Sequence, residues 1–416
     1  MKAPLDGVRG IVLTQAWAGT YCTELLGFMG ADIVQIEVRK RPDSWRGAYD
    51  APVGDRLSAL GARNPWNCNY LYNSVNLNKR CLTLDLQTAE GADLFRRLLP
   101  LADFVVENFS PRVLGNLGFA YGQMDAIRPG IILCSLSAYG HTGPWANIPG
   151  IGGTIEPTSG LSALLGYPGG PPLNSGIMYP DAVAGLNAFA AILAAIHHRN
   201  QTGEGQYIDL SMQEANLAFA GEAAMEFLRN GRQRERMGNR HPAFAPHGIF
   251  RCAGDDRWIA IACETGEQWA RLRHALGTPP SLESADFATS ATRKANEAQL
   301  ETAIECITRD ADRDELAALL IAAGVIAAPV HDALEVAGDA ALRARGIIGP
   351  VAHAEAGEWL QALIPWQYPV SPHPPVRPAP RLGEHSAEVL AELLGMGPEE
   401  YRALAEAGIS GEGPPD

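Results

Sequence analysis

Apolar and polar positions alternate in blocks along this chain. Val8 to Leu13 is a short β-rich run, Cys22 to Met29 is helix-compatible, Gly30-Ala31-Asp32 reads as a turn, and Ile33 to Ile36 is a second apolar run. The block predicts a strand, a helix and a strand. It recurs as a strand over Leu82 to Leu86, a helix over Ala89 to Leu99, a strand over Phe104 to Val106 and, after Arg128-Pro129-Gly130, a strand over Ile131 to Leu136. The most apolar stretch, Ala182 to Ile196, predicts a buried helix: its fifteen residues are fewer than the ~20 that a bilayer span needs. The loop Thr202-Gly203-Glu204-Gly205 then leads to a strand over Gln206 to Leu210. Such alternation builds an α/β domain with a mostly parallel sheet covered by helices on both faces.

Different habits follow. Met237 to Gly248 is rich in Gly, Asn, Pro and His and predicts an exposed loop near a domain boundary. Ile249 to Cys252 and Trp258 to Ala262 flank Ala253-Gly254-Asp255-Asp256 as a hairpin, with helices over Glu267 to Leu276, Asn296 to Ile307 and Arg313 to Ala323. This predicts a small α+β domain. Pro365 to Pro380 holds seven prolines and predicts an extended strap, before a last helix over Ser386 to Leu394. The resulting plan is a large domain over 1–220, a linker and loop over 221–247, the small domain over 248–333, and a return over 334–416 that completes the large domain.

Composition narrows the function. With 416 residues, 46% of them hydrophobic and 19% charged, the chain can bury the cores of two globular domains. A net charge of −14 works against attraction to nucleic acid or an anionic membrane surface. Seven scattered cysteines show neither a disulfide framework nor zinc-ligand spacing, and with no signal-peptide pattern at the start a cytoplasmic protein is expected.

Glu37 lies eighteen residues after Gly19, where a dinucleotide-binding unit places its ribose-binding acid, but Thr14 to Gly19 offers one glycine where the fingerprint needs three. There is no P-loop, serine nucleophile elbow or His-Glu-x-x-His motif. Met178-Tyr179-Pro180-Asp181-Ala182-Val183-Ala184-Gly185 is more informative, because it sets Asp181 at the start of the apolar helix. An Asp there can cap the helix by accepting its free N–H groups. The same donors would keep a carboxylate ionised and aimed, as a nucleophile requires. Cap and nucleophile both remain open on position alone.

Several segments together resemble the family III CoA-transferases, the group of formyl-CoA transferase and carnitine CoA-transferase. They are Leu5-Asp6-Gly7, Gly30 to Glu37, Asn78-Lys79-Arg80, Glu107-Asn108-Phe109, Asp181 with Gly185, Arg199 to Gln206, and Ala379 to His385, in family order from Leu5 to the last helix. The resemblance implies a Rossmann-like large domain made from both chain ends, a small domain between them, and an interlocked ring dimer. It implies that coenzyme A enters as acyl-CoA cosubstrate with a carboxylic acid as acceptor, and that neither metal nor redox cofactor takes part. Asp181 matches the family nucleophile, which forms an acyl-aspartyl anhydride and then an aspartyl-CoA thioester.

The family's CoA contacts map onto Trp17 and Ala18, onto Asn76, Leu77, Asn78 and Lys79, and onto Asn108, Phe109 and Ser110. Formyl-CoA members carry Arg where this chain has Val38 and Asn116, so Arg39 and Arg112 are the substitutes nearby, with Asn116 kept in the set. His241-Pro242-Ala243-Phe244-Ala245-Pro246-His247-Gly248 stands where those members have a glycine loop, which argues against the oxalate and formate pair. Racemases of the same fold pair the Asp with a His that would fall near Ile151; one base is then missing, which disfavours racemisation. A racemase or lyase, or a non-catalytic subunit of a heteromer, remains the alternative.

Overall fold

The computed structural model describes residues 2–371 and 374–415 and contains two units. The first comprises residues up to Leu161, Asn174–Met225 and the segment from Ala340 onward; the second comprises Ser162–Leu173 and Glu226–Asp339. The large unit is thus discontinuous, and Ser162–Leu173 packs with the smaller one.

The first unit is built on six strands, β1 (Arg9–Leu13), β2 (Asp32–Glu37), β3 (Lys79–Thr83), β4 (Phe104–Glu107), β5 (Ile132–Ser137) and β6 (Tyr207–Ser211). They are all parallel, in the order β3-β2-β1-β4-β5-β6. That order reverses between β1 and β4, and in doubly wound sheets ligands bind beyond the strand carboxyl ends near this reversal. Alternation along the strands sends Ile11 and Leu13 into one core and Val12 into another. Helix α1 (Ala18–Phe28) follows β1, α2 (Ala89–Leu98) follows β3, and α3 (Gly152–Thr158) precedes α4 (Tyr179–Thr202).

Helix α4 is 24 residues long, more than the fifteen-residue apolar stretch predicts, and by length and composition alone could cross a membrane. Here its Ala184, Ala188, Ile192, Ala195 and Ile196 pack with Cys22 and Leu26 of α1 in the second core, where the sheet rather than lipid covers them.

The smaller unit contains the antiparallel sheet β7 (His247–Arg251), β8 (Trp258–Ala262) and β9 (Ile326–Pro329). Helices α5 (Gly266–Ala275), α6 (Glu297–Thr308) and α7 (Arg313–Ala322) share its core around Phe250, Ile259, Leu272, Leu300 and Leu320. A hairpin of β10 (Ile348–His353) and β11 (Gly357–Ala362) returns the chain to the large unit. The described residues of the proline-rich strap, 365–371 and 374–380, carry no helix or strand. Beyond it, His385 N–H donates to the Cys81 carbonyl at 3.0 Å, and α8 (Ser386–Leu394) and α9 (Pro398–Glu406) follow.

Candidate active site

Asp181 lies in the first turn of α4, as its third residue rather than as the cap that the apolar stretch predicts. The helix starts earlier because Met178 adopts a left-handed conformation (φ 50°) and Pro180 suits a first helical turn. The carboxylate faces its own N–H and that of Ala18, the first residue of α1. It therefore sits at the amino ends of two helices, whose dipoles favour its charged form, while the Asp181 N–H also donates to the Met178 carbonyl at 3.0 Å. Asp181 is only 9% exposed, and burial pushes its carboxyl up to about 6 despite those donors. At pH 7 it is still roughly nine-tenths ionised.

Two glycines create this geometry. A Cβ on Gly185, one turn along α4, would stand 2.8 Å from the Ala18 carbonyl oxygen, so glycine lets the two helices close. A Cβ on Gly152, at the start of α3, would stand 2.1 Å from Asp181 Oδ2 and 2.6 Å from Met178 Cβ. Oδ2 is buried there without a hydrogen-bond partner among the described residues. A fixed, largely ionised carboxylate of this kind can act as a nucleophile. Ile151, 70% exposed, precedes Gly152 and has no group that can accept a proton as a second base.

The structure gathers the other candidates at two ends of the sheet. Trp17, Ala18, Asn108, Phe109 and Ser110 follow the carboxyl ends of β1 and β4, with Arg112 and Asn116 exposed just beyond. Asn108 fixes the β1–α1 turn from both sides: Oδ1 accepts the Gln15 N–H and Nδ2 donates to the Gln15 carbonyl, both at 2.8 Å. The Phe109 N–H donates to Glu107 Oε2 at 2.7 Å. Asn76 to Lys79, in contrast, lie at the amino end of β3, because that strand starts at Lys79 and not at Leu82. All four are buried, and Lys79 Nζ donates to the Thr20 carbonyl at 2.9 Å and to Asn76 Oδ1 at 2.7 Å. Burial holds this ammonium down at about 8. Arg39 is also occupied within the fold, donating to the carbonyls of Ser410, Gly413 and Pro414 at 2.7–3.0 Å.

Sequence reasoning missed Gly152, Gln15 and Asp43. The glycine-rich run Gly150-Ile151-Gly152-Gly153 marked a place of close approach; Gln15 and Asp43 carry no local signal, since their partners lie far along the chain. The two loop histidines belong to the smaller unit, where His241 stacks on Phe244 and His247 Nδ1 bonds the Asn239 carbonyl oxygen.

A parallel sheet in this order, with a buried carboxylate beside its carboxyl edge, is the framework of an α/β enzyme. Residues 5–386 match CoA-transferase family III, and the chain belongs to that family of transferases, which act on CoA thioesters. It is 32% identical to succinate–glutarate CoA-transferase of Agrobacterium fabrum, covering 94% of this chain and 96% of that protein. It is 31% identical to succinyl-CoA–D-citramalate CoA-transferase of Chloroflexus aurantiacus, covering 96% of each. Among solved structures, a CaiB/BaiF family protein from Brucella suis superposes with a TM-score of 0.84 at 31% identity, covering 94% of this chain and 100% of that one.

Proposed function

We propose that the protein moves coenzyme A from an acyl-CoA donor to a carboxylic acid acceptor, with Asp181 as the covalent nucleophile. The observation that carries this reading is the Asp181 carboxylate, buried at two helix amino ends with Oδ2 unpartnered. A carboxylate oxygen attacks the thioester carbonyl and the C–S bond breaks, giving an acyl-aspartyl anhydride and CoA thiolate. The thiolate then attacks the aspartyl carbonyl, releases the donor acid and leaves an aspartyl-CoA thioester. The acceptor carboxylate attacks that thioester to form a second anhydride, and returning CoA thiolate cleaves it at the acceptor carbonyl. Both kinds of intermediate remain activated, so transfer needs no nucleoside triphosphate, and exclusion of water protects them.

Dicarboxylic acids are the proposed substrate class, with succinyl-CoA as donor, in keeping with the names of the relatives described above. CoA would lie along the carboxyl edge near Trp17, Ala18, Asn108, Phe109 and Ser110, with Arg112 and Asn116 available to its polar end. The buried positions of Asn76, Leu77, Asn78 and Lys79, and the three carbonyls that hold the half-buried Arg39, support structural roles. The working form is a homodimer of interlocked chains in the cytoplasm. A heteromer is the second reading for assembly, because a relative 32% identical is named a beta subunit. The test is transfer from succinyl-CoA to a panel of dicarboxylates: wild-type protein should produce new acyl-CoAs and Asp181→Ala none. Undiminished transfer by Asp181→Ala, or loss of the α-proton without an acceptor, would overturn the reading.

A further inference from the structure

Asp43 lies outside the chemistry described above, yet it is 1% exposed and fixes the turn that leads to Ala18. Its Oδ1 accepts the Ala16 N–H and the Trp45 N–H, each at 2.9 Å, while Oδ2 is buried with no partner among the described residues. A buried carboxylate with one oxygen left unpartnered costs the fold stability. Its surroundings are firm. Glu37 Oε2 accepts the Asp43 N–H at 3.2 Å, and Glu37 pairs with Arg46 at 2.7 Å in a fully buried ion pair.

The turn held by Asp43 is an unusual one. Ala16 has φ 57°, the left-handed region that residues with a Cβ visit sparsely. Its N–H is tied to Asp43, its carbonyl accepts from Thr20 Oγ1, and Gln15 before it is held by Asn108. Two residues later Ala18 opens α1 where Gly185, one turn along α4 from Asp181, closes on it, and the Ala18 N–H is among the groups that favour the charged form of Asp181. A charged oxygen accepting two converging N–H groups is the strong acceptor such a strained turn requires.

We infer that Asp43 is a positioning residue for the transfer reaction: Oδ1 holds Ala16 in the left-handed turn that aims the Ala18 N–H at the Asp181 carboxylate. The inference rests on the reading of Asp181 as nucleophile. Asp43 acts through the turn and touches neither substrate nor the reacting atoms. Asparagine in its place would keep the accepting oxygen, whereas alanine would remove it.

The test is rapid-quench measurement of the borohydride-trapped Asp181 adduct from succinyl-CoA in wild-type, Asp43→Asn and Asp43→Ala proteins, with KM and the pH profile of kcat. Asp43→Ala should form the adduct at least about tenfold more slowly with KM within about threefold of wild type. Its acid limb should move to higher pH, because Asp181 loses a donor that favours its charged form. The charged neighbours on the Asp43 side, Glu37, Arg46 and Lys79, stay in place in both variants, and because burial also raises Asp43 itself to about 6, the shift is read between Asp43→Ala and Asp43→Asn, which both lack that titration. Asp43→Asn should recover to within about threefold of wild type. Adduct formation by Asp43→Ala at the wild-type rate, a loss confined to KM, an unmoved acid limb, or equal impairment of both variants would overturn the inference alone. Absence of the adduct in wild-type protein would overturn the nucleophile reading and the inference with it. If Asp43→Ala does not fold, Asp43→Leu, which fills the same space without an accepting oxygen for the Ala16 N–H, should show the same slowing and the same pH shift; a wild-type rate there overturns the inference equally.

Discussion

Replacing Gly152 with alanine tests how closely Asp181, the proposed nucleophile, is caged. The new Cβ would stand 2.1 Å from Asp181 Oδ2 and 2.6 Å from Met178 Cβ, and the backbone of Gly152 itself is compatible with alanine. Ordinary contact requires roughly 3.4 Å, so the carboxylate, or α3, must move by about 1.3 Å. A misplacement of ~1 Å can cost about 100-fold in rate. Stability should change far less: overpacking costs about 1–3 kcal/mol, while alanine recovers up to about 1 kcal/mol of helix propensity at the start of α3. The assay is kcat for succinyl-CoA transfer together with the urea midpoint. A fall in kcat of about 100-fold, with a stability loss of about 0–2 kcal/mol, is expected. A Gly152→Ala enzyme within twofold of the wild-type kcat would refute the tight placement of Oδ2 against α3.

Other consequences follow from burial and charge. As the proposed nucleophile Asp181 must be ionised, and burial raises its carboxyl to about 6, so kcat should fall as pH drops through 6, as a pH–rate profile will show. Since the folded value is raised from 3.8 to about 6, stability contributed by the protonated form is lost as pH rises through that window. Asp181→Asn should therefore be inactive yet more stable than wild type at pH 7, by on the order of 2–3 kcal/mol in urea titrations, with the gap closing towards pH 4. Glu37→Gln should cost about 3–5 kcal/mol, because it leaves the Arg46 guanidinium, fully buried, without its counterion. Arg39→Ala should lower thermal stability by releasing three carbonyls of the C-terminal segment while KM for acyl-CoA stays within twofold; Arg112→Ala should do the reverse.

Much of the large unit was legible because apolar strand runs and helix punctuation follow simple periods. The start of β3 was not. Its ladder begins at Lys79 and Arg80, polar residues buried through Asn76, Thr20 and the Asp32 carboxylate, whereas Leu84 and Leu86 are apolar and buried but lie past the ladder. Partners distant in sequence, not hydropathy, set that register, and they moved Asn76 to Lys79 to the sheet's amino end. Helix α4 likewise starts before its apolar stretch, since Met178 and Pro180 fix its first turn. Asp181 stood out because a carboxylate opens a nearly all-apolar helix, and Gly185 only through the family resemblance; the Asp43 and Asn108 contacts, 27 and 93 residues from their partners, could only be seen folded.

The most direct test of the account is peptide mass spectrometry of the protein after incubation with succinyl-CoA and borohydride. The account predicts succinyl-CoA-dependent reduction of the Asp181 side chain to the alcohol, and no modification without the thioester. An unmodified Asp181 during active turnover would contradict it.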